Sequence, residues 1–236
     1  MSIITPGRLG AAQIRRENTN DTIYERIHGA ILEHRLPPGT KLVEDRLASV
    51  FGVSRARIRE VLTRLAHAQV VELFPQRGAF VAKPSITQAT EVFEARRVIE
   101  PAVVRRLIEN LSPDKIAALR EHGERELDAH RREDKRAIVR LSGEFHVLLG
   151  ELAGNSALAR SLQELANLTC LIIFLYDAPT SYSCRADEHL QIAEAITRRD
   201  LQRAETLLLE HLDHIEQSLN LDDQSAAVDL EEVFGA

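Results

Sequence analysis

FGVSRARIREVL, residues 51–62, sets Arg55, Arg57 and Arg59 directly after a Gly52-Val53-Ser54 turn, and Arg64 follows one turn later. The chain as a whole carries a formal charge of −6, so a local concentration of arginine asks for a local reason. The apolar residues supply a frame. Ile58, Val61, Leu62 and Leu65 recur at helical spacing, and the Ser54 hydroxyl suits the N-cap of that helix. Arg55 and Arg59, four residues apart, then share one face while the isoleucine–leucine stripe points into a core.

Upstream, Ile23, Ile27 and Ile31 with Tyr24 and Ala30 predict an amphipathic helix from Asn20, broken by Pro37-Pro38-Gly39. A short helix over about 45–51 (Leu47, Ala48, Phe51) leads into the Gly52 turn. Downstream, the extended runs VVELF and AFVA, separated by PQRG, predict a hairpin. Three helices, a tight turn between the second and third, and a hairpin make a winged helix-turn-helix. The third helix of such a unit enters the major groove, where arginine pairs with guanine O6 and N7 or neutralises phosphate. Arg77-Gly78 at the hairpin tip would let the backbone approach DNA. Charge agrees: residues 1–84 hold 13 Lys+Arg against 8 Asp+Glu, whereas residues 85–236 hold 17 against 28. A basic head on an acidic body is expected when only the head meets a polyanion. A solvated basic helix face is the competing explanation of the arginines taken alone.

Residues 24–81 resemble the DNA-binding domain of GntR-family transcriptional regulators, through the Pro-Gly turn, L-x-E-x-x-LA, GVSR-x-x-x-RE-x-L-x-x-L and the RGAFV wing. The resemblance implies that Arg55, Arg59, Arg77 and Gly78 contact an operator, with Ser54 and Glu44 at the protein–DNA edge. Arg57 stands where many members have proline and is a further candidate phosphate contact.

No apolar run approaches the roughly 20 residues of a membrane helix, and the N-terminus lacks a signal-peptide core. Cys170 and Cys184 match no metal or redox spacing and read as reduced thiols in a cytoplasmic protein. Residues 1–18 read as a disordered arm, 19–84 as the DNA-binding domain, 85–220 as an all-α antiparallel bundle, and 221–236 as a flexible acidic tail. Helices are expected over about 87–109, 113–130, 134–153, 156–177, 185–198 and 200–220, with Asn155 capping the fourth.

Bundle interiors host ligand and metal sites built from facing helices. His146 falls on the stripe Val139, Ser142, His146, Leu149, Ala153. His189 shares a face with Ile192 and Ile196, and His211 lies among Ala204, Leu208 and Ile215. Three inward histidines on three helices can hold Zn²⁺ or a similar ion with positions left open. His28, His34, His67, His122, His130 and His214 form no such set and read as surface or packing residues.

EARRVIEPAVVRRL (94–107), EFHVLLGELAGN (144–155), EHLQIAEAITRRDLQRA (188–204) and EHL (210–212) resemble the FCD effector-binding domain of the FadR-like branch, in its VanR-like six-helix variant. The resemblance implies an effector site of Arg97, Ser142, His146, His189 and His211, with the three histidines on a divalent metal that helps hold a small carboxylate. Ser142 stands where the family has a metal-binding aspartate. A neutral hydroxyl is a weak ligand, so weaker binding or completion by water or effector is expected, with Zn²⁺ or Ni²⁺ favoured over harder ions. Glu144, two residues further on, points elsewhere. Arg97 is the expected carboxylate anchor; a same-helix ion pair with Glu94 or Glu100 is the alternative.

The chain therefore reads as a ligand-responsive transcriptional regulator. The expected form is a homodimeric repressor, released from a palindromic double-stranded DNA operator by a small organic acid, with no membrane partner and no enzyme activity. A metal-responsive regulator, a His₃-zinc hydrolase and a bundle that serves only to dimerise are the competing readings. An aromatic content of 4% leaves little stacking surface and favours small aliphatic acids.

Overall fold

A computed structural model describes residues 19–177 and 186–221. The arm at 1–18, the break at Pro179, Cys184 and the tail beyond Leu221 lie outside the described residues. The chain divides into two compact units, Met1–Lys83 and Pro84–Ala236.

In the first unit, α1 (Asn20–Leu32) starts at Thr19, whose hydroxyl accepts the Thr22 N–H at 3.1 Å. Ile23, Ile27 and Ile31 are buried along its inner face. α2 (Glu44–Phe51) stops at Gly52, whose φ of 64° is left-handed and suits a residue without Cβ. Two residues later Ser54 caps α3 (Arg55–His67). Ile58, Val61, Leu62 and Leu65 are buried, each contributing about 1.5–3 kcal/mol of hydrophobic stabilisation. That stripe fixes which face of α3 is left for DNA.

The hairpin joins β2 (Val71–Phe74) to β3 (Gly78–Val81), with Phe74 opposite Gly78. A third strand, β1 (Lys41–Leu42), pairs with the other edge of β3, giving the antiparallel order β1-β3-β2. Two residues are too few to show a period, so β1 has no signal in the sequence.

The second unit contains α4 (Ile86–Glu109), α5 (Pro113–Arg131), α6 (Lys135–Leu152), α7 (Ser156–Tyr176), α8 (Ala186–Thr197) and α9 (Leu201–Ser218). Side-chain caps set the starts. Ser85 and Gln88 form a reciprocal capping box, and Ser112, Asp134, Asn155 and Asp200 each accept a first-turn N–H. Gly143 lets α6 and α7 approach closely: a Cβ there would meet Cys170 Sγ at 2.7 Å. The apolar interior forms two clusters, one around Val103, Phe145 and Leu208, the other around Phe93, Ile172 and Ile215. By length and composition α7 alone among the described helices is long and apolar enough to cross a membrane, although Arg160 and Glu164 interrupt its apolar run. Its residues Leu162, Ala166, Cys170 and Ile173 are instead buried inside the bundle.

Candidate functional site

The exposed face of α3 carries Arg55 and Arg59, and both turn towards the start of α2. Arg59 Nε and Nη2 donate to the two Glu44 oxygens at 3.1 and 2.8 Å. Arg55 reaches Glu44 Oε2 at 3.4 Å and Asp45 Oδ1 at 3.0 Å. The hydrogen bond from Arg59 leads the effects that hold the Glu44 carboxyl below its usual range. Glu44 thus gathers both guanidinium groups before any DNA is bound. Arg57 does not join this face. Two positions along a helix rotate a side chain by about 200°, and its Nε donates to Asn20 on α1 at 2.8 Å. On the wing, Arg77 lies over the Phe74 and Phe80 rings at 5.1 and 5.7 Å, beside Gly78 with φ 96°.

In the bundle, α6, α8 and α9 bring His146, His189 and His211 together, all buried. His211 Nε2 lies 3.2 Å from His146 Nε2 and 3.1 Å from His189 Nε2. Each opposite ring nitrogen meets a carboxylate. His146 Nδ1 is 2.7 Å from Glu100 on α4, His189 Nδ1 is 2.8 Å from Glu126 on α5, and His211 Nδ1 is 2.7 Å from Glu188 on α8. Phe145 stacks on the His189 ring at 4.3 Å and fixes its plane.

Electrostatics set the protonation. Burial pushes His146 down to about 3, with Glu100 only partly opposing it, and pushes His211 down to about 4, with His189 adding to the effect. Burial alone would raise Glu100 and Glu126. Arg96 and His146 instead hold Glu100 at about 2, and His189 and His122 hold Glu126 at about 2. Ionised carboxylates only accept, so the Nδ1 of His146 and of His211 carries the hydrogen and donates it, leaving a lone pair on the Nε2 of each. The Nε2 lone pairs of His146 and His211, 3.2 Å apart with no hydrogen between them, repel unless a cation lies between them, and His189 Nε2 stands 3.1 Å from the same His211 atom. Metal–nitrogen bonds of about 2.0–2.1 Å to two such atoms subtend about 100°, between octahedral and tetrahedral angles. The donor set fits a divalent transition ion, and carboxylates behind each imidazole are the usual second support of such ligands.

Arg97 does not enter this region. It binds Asp213 at 2.8 and 3.0 Å, and also Glu216, both on α9. The same-helix partners considered for it are not taken; Glu100 belongs to Arg96. One residue along a helix is a rotation of about 100°, and the inward stripe of α4 runs through Ala89, Phe93, Arg96, Glu100 and Val103. Arg96 is 1% exposed, donates from Nε to Glu100 at 2.5 Å and from Nη1 to Thr169 at 3.1 Å. Ser142 is buried beside His146, and Glu144 turns away to Arg125 and Arg140.

Sequence reasoning missed Arg96, Thr169, Glu100, Glu126 and Glu188. The helical period of α4 was signal enough for Arg96 and Glu100, because both sit among apolar core positions. His122 is buried too, with Nε2 3.0 Å from the Leu141 carbonyl oxygen, and packs beside Glu126. Three carboxylates stand beside the histidines, but each is committed to an Nδ1, on the far side of its ring from the convergence, where it cannot serve a hydrolytic water.

Residues 19–81 match the bacterial regulatory proteins of the gntR family, and residues 91–214, more than half of the chain, match the FCD domain. The chain belongs to the GntR family. Its FCD domain is that of the FadR-like branch, and the protein is a DNA-binding transcriptional regulator, not an enzyme. It is 27% identical over 201 residues to the HTH-type transcriptional repressor RspR of Escherichia coli K12, covering 85% of this chain and 88% of that protein. It is 26% identical to the HTH-type transcriptional regulator LutR of Bacillus subtilis 168, over 78% of this chain and 94% of that one. Among solved structures, E. coli McbR/YncC superposes with a TM-score of 0.71 at 19% identity, covering 84% of this chain and 95% of that chain. That likeness shows the fold of this GntR-family regulator.

Proposed function

We propose that this GntR-family regulator is a homodimeric repressor that reads a palindromic operator and responds to a small carboxylic acid bound beside a divalent metal in its FCD domain. The convergence of three Nε2 atoms, each imidazole backed by a glutamate, carries the metal reading. His146, His189 and His211 would hold Zn²⁺ or Ni²⁺, and the ion would supply a Lewis-acidic position for an acid's oxygen. The chain's own residues supply the rest. Glu100, Glu126 and Glu188 orient the rings, Phe145 fixes one of them, and Arg96 offers a buried cation to an anionic ligand.

On DNA, Arg55 and Arg59 are the candidate base and phosphate contacts and Arg77-Gly78 the wing contact, with Glu44 orienting the arginine pair. Ser54 caps the reading helix. Two copies would place two such helices about one turn of DNA apart. The acid acts as a signal only if it binds one state of the dimer more tightly than the operator-bound state. The repressor sign follows RspR, which is named a repressor, and the site of action is the cytoplasm, where bacterial DNA lies.

The test is operator binding by full-length protein prepared without tag or chelator, with its metal content measured alongside a His189→Ala variant. The reading expects near-stoichiometric Zn²⁺ or Ni²⁺ in the parent, loss in the variant, and acid-induced operator release in the parent alone. A parent that takes up neither ion after soaking would overturn the metal reading. Release by metal alone would make the ion the signal.

A further inference from the structure

The wing carries two cations, not one. Its three strands bury Leu42, Val71, Ala79 and Val81 on one side of the sheet. Side chains alternate along a strand, so the other side presents Phe74, Phe80 and, on β1, Lys41, which is the cross-strand partner of Phe80. The Phe74 and Phe80 rings meet edge to face with centroids 5.6 Å apart. Arg77 lies over both rings, and the Lys41 ammonium stands 5.5 Å from the Phe80 centroid. The lysine stem also reaches the wing tip: a Cβ on Gly78 would stand 3.9 Å from Lys41 Cε. Phe80 thus holds two positive groups beside a tip residue that has no side chain of its own.

Neither charge is neutralised within the protein. At the start of α3, Arg55 and Arg59 are paired with Glu44 and Asp45, so these four side chains sum to zero. Arg64, further along α3, is paired with Asp21. Lys41 and Arg77 are exposed, and among the described residues no carboxylate forms an ion pair with either. Glu72 faces Phe80 from β2 without pairing with them. An ion-paired arginine must leave its carboxylate before it can neutralise a phosphate. A free cation does so directly and releases a counterion from the DNA. An aromatic ring attracts a cation without cancelling its charge, so Phe80 orients both groups and leaves them available. Lysine is a compact point charge, suited to phosphate rather than to the paired acceptors of a base edge.

We propose, resting on the wing reading above, that Lys41 is a further DNA contact, which binds a backbone phosphate beside the place where Arg77-Gly78 meets the duplex. The wing pair then supplies charge that any duplex attracts. The α3 arginines, held by Glu44 and Asp45 until a base edge competes for them, supply discrimination. Phosphate contacts set position and orientation, and base contacts set sequence.

The salt dependence of binding to two short duplexes of unrelated sequence, one rich in A·T and one in G·C, tests this on full-length protein without an operator. The logarithm of Kd rises with the logarithm of KCl concentration by about 0.9 for each phosphate contact. Lys41→Gln, an exposed change that leaves the core intact, should lower that slope by about 0.9 per bound protomer on both duplexes. A rise in salt of about fourfold then weakens the variant about 3.5-fold less than the parent, per protomer. Lys41→Arg keeps the charge and should keep the parent slope. Lys115→Gln, the same charge change in the second unit, where Lys115 bonds the Asn110 carbonyl oxygen, should keep it too. A parent slope in Lys41→Gln, or an equal loss in Lys115→Gln, overturns the proposal. A loss confined to one duplex would mean base readout and overturns it as well. Arg77→Gln separates it from the reading it rests on. A lower slope in Arg77→Gln alone strikes Lys41 and leaves the wing contact standing, whereas parent slopes in both variants strike the two together.

Discussion

Acidifying the metal-free protein probes the buried histidine centre without involving any ligand. His146 and His211 are held near 3 and 4 against an ordinary 6.5, chiefly by burial. A histidine whose folded pKa lies below its unfolded value takes its proton more readily in the unfolded chain. Its stabilising contribution is therefore complete above pH 6.5 and is lost as pH falls through the folded pKa. Each such group costs about 1.4 kcal/mol per pH unit below 6.5, so the two together give about 4 kcal/mol of loss by about pH 5. Glu100 and Glu126, depressed from 4.5 to about 2, add their own loss only below about pH 4.5, so the window above about pH 5 isolates the histidines. Against a total of about 5–15 kcal/mol this is a large share, worth a fall in Tm of roughly 10–15 °C. Urea and thermal unfolding of chelator-treated protein, followed by circular dichroism at several pH values between about 7.5 and 5, give the slope directly. His211→Gln should unfold with about half that pH dependence. A metal-free protein whose stability is flat across this window would refute the assignment of neutral, unprotonated imidazoles, and with it the convergence of lone pairs.

Arg97→Ala should leave acid and metal affinity unchanged, and lower stability by less than about 1 kcal/mol, because its ion pairs to Asp213 and Glu216 are partly solvent-screened; calorimetric titration of the acid checks this. Gly143→Ala should destabilise by about 1–3 kcal/mol in urea unfolding, since its Cβ would stand 2.7 Å from Cys170 Sγ and push α6 off α7. Arg59→Ala should cost operator affinity by about 1–3 kcal/mol and reduce discrimination among operator variants. Arg57→Ala, which loses a bond to Asn20, should change operator affinity by less than Arg59→Ala does; fluorescence anisotropy on operator and scrambled duplexes separates the two.

Most of the architecture was legible in the sequence because it rests on periodic signals. The isoleucine stripe of α1, the Ser54 cap and the Gly52 turn each fix a local geometry through one or two residues, and the six bundle helices begin at Ser, Asp or Asn caps wherever their starts are described. β1 was not legible: two residues pair only because β3 offers them an edge. The histidines could be placed by stripe, yet Arg97 was preferred to Arg96 by resemblance alone, against the period of its own helix. That period sets Arg96 between Phe93 and Glu100 on the buried face and turns Arg97 towards α9. Glu126 and Glu188 were hidden for a different reason. A single glutamate on a helix rich in charge is ordinarily solvated, and only its pairing with a histidine on another helix, a long-range fact, distinguishes it.

The polar cluster draws on every helix of the bundle. Arg96 and Glu100 come from α4, Glu126 from α5, His146 from α6, Thr169 from α7, Glu188 and His189 from α8, and His211 from α9. Without ligand, burying it costs stability, because Arg96 Nη2 and Glu126 Oε2 lack partners and the Nε2 lone pairs of His146 and His211 face one another. Apolar side chains in its place would be the more stable choice. A ligand that removes those deficits ties all six helices together at one point, and whatever it stabilises it stabilises across the whole domain. Binding energy at such a point is available to any state of the bundle that fits the ligand better than another. A site confined to one surface groove between two helices would have no such reach.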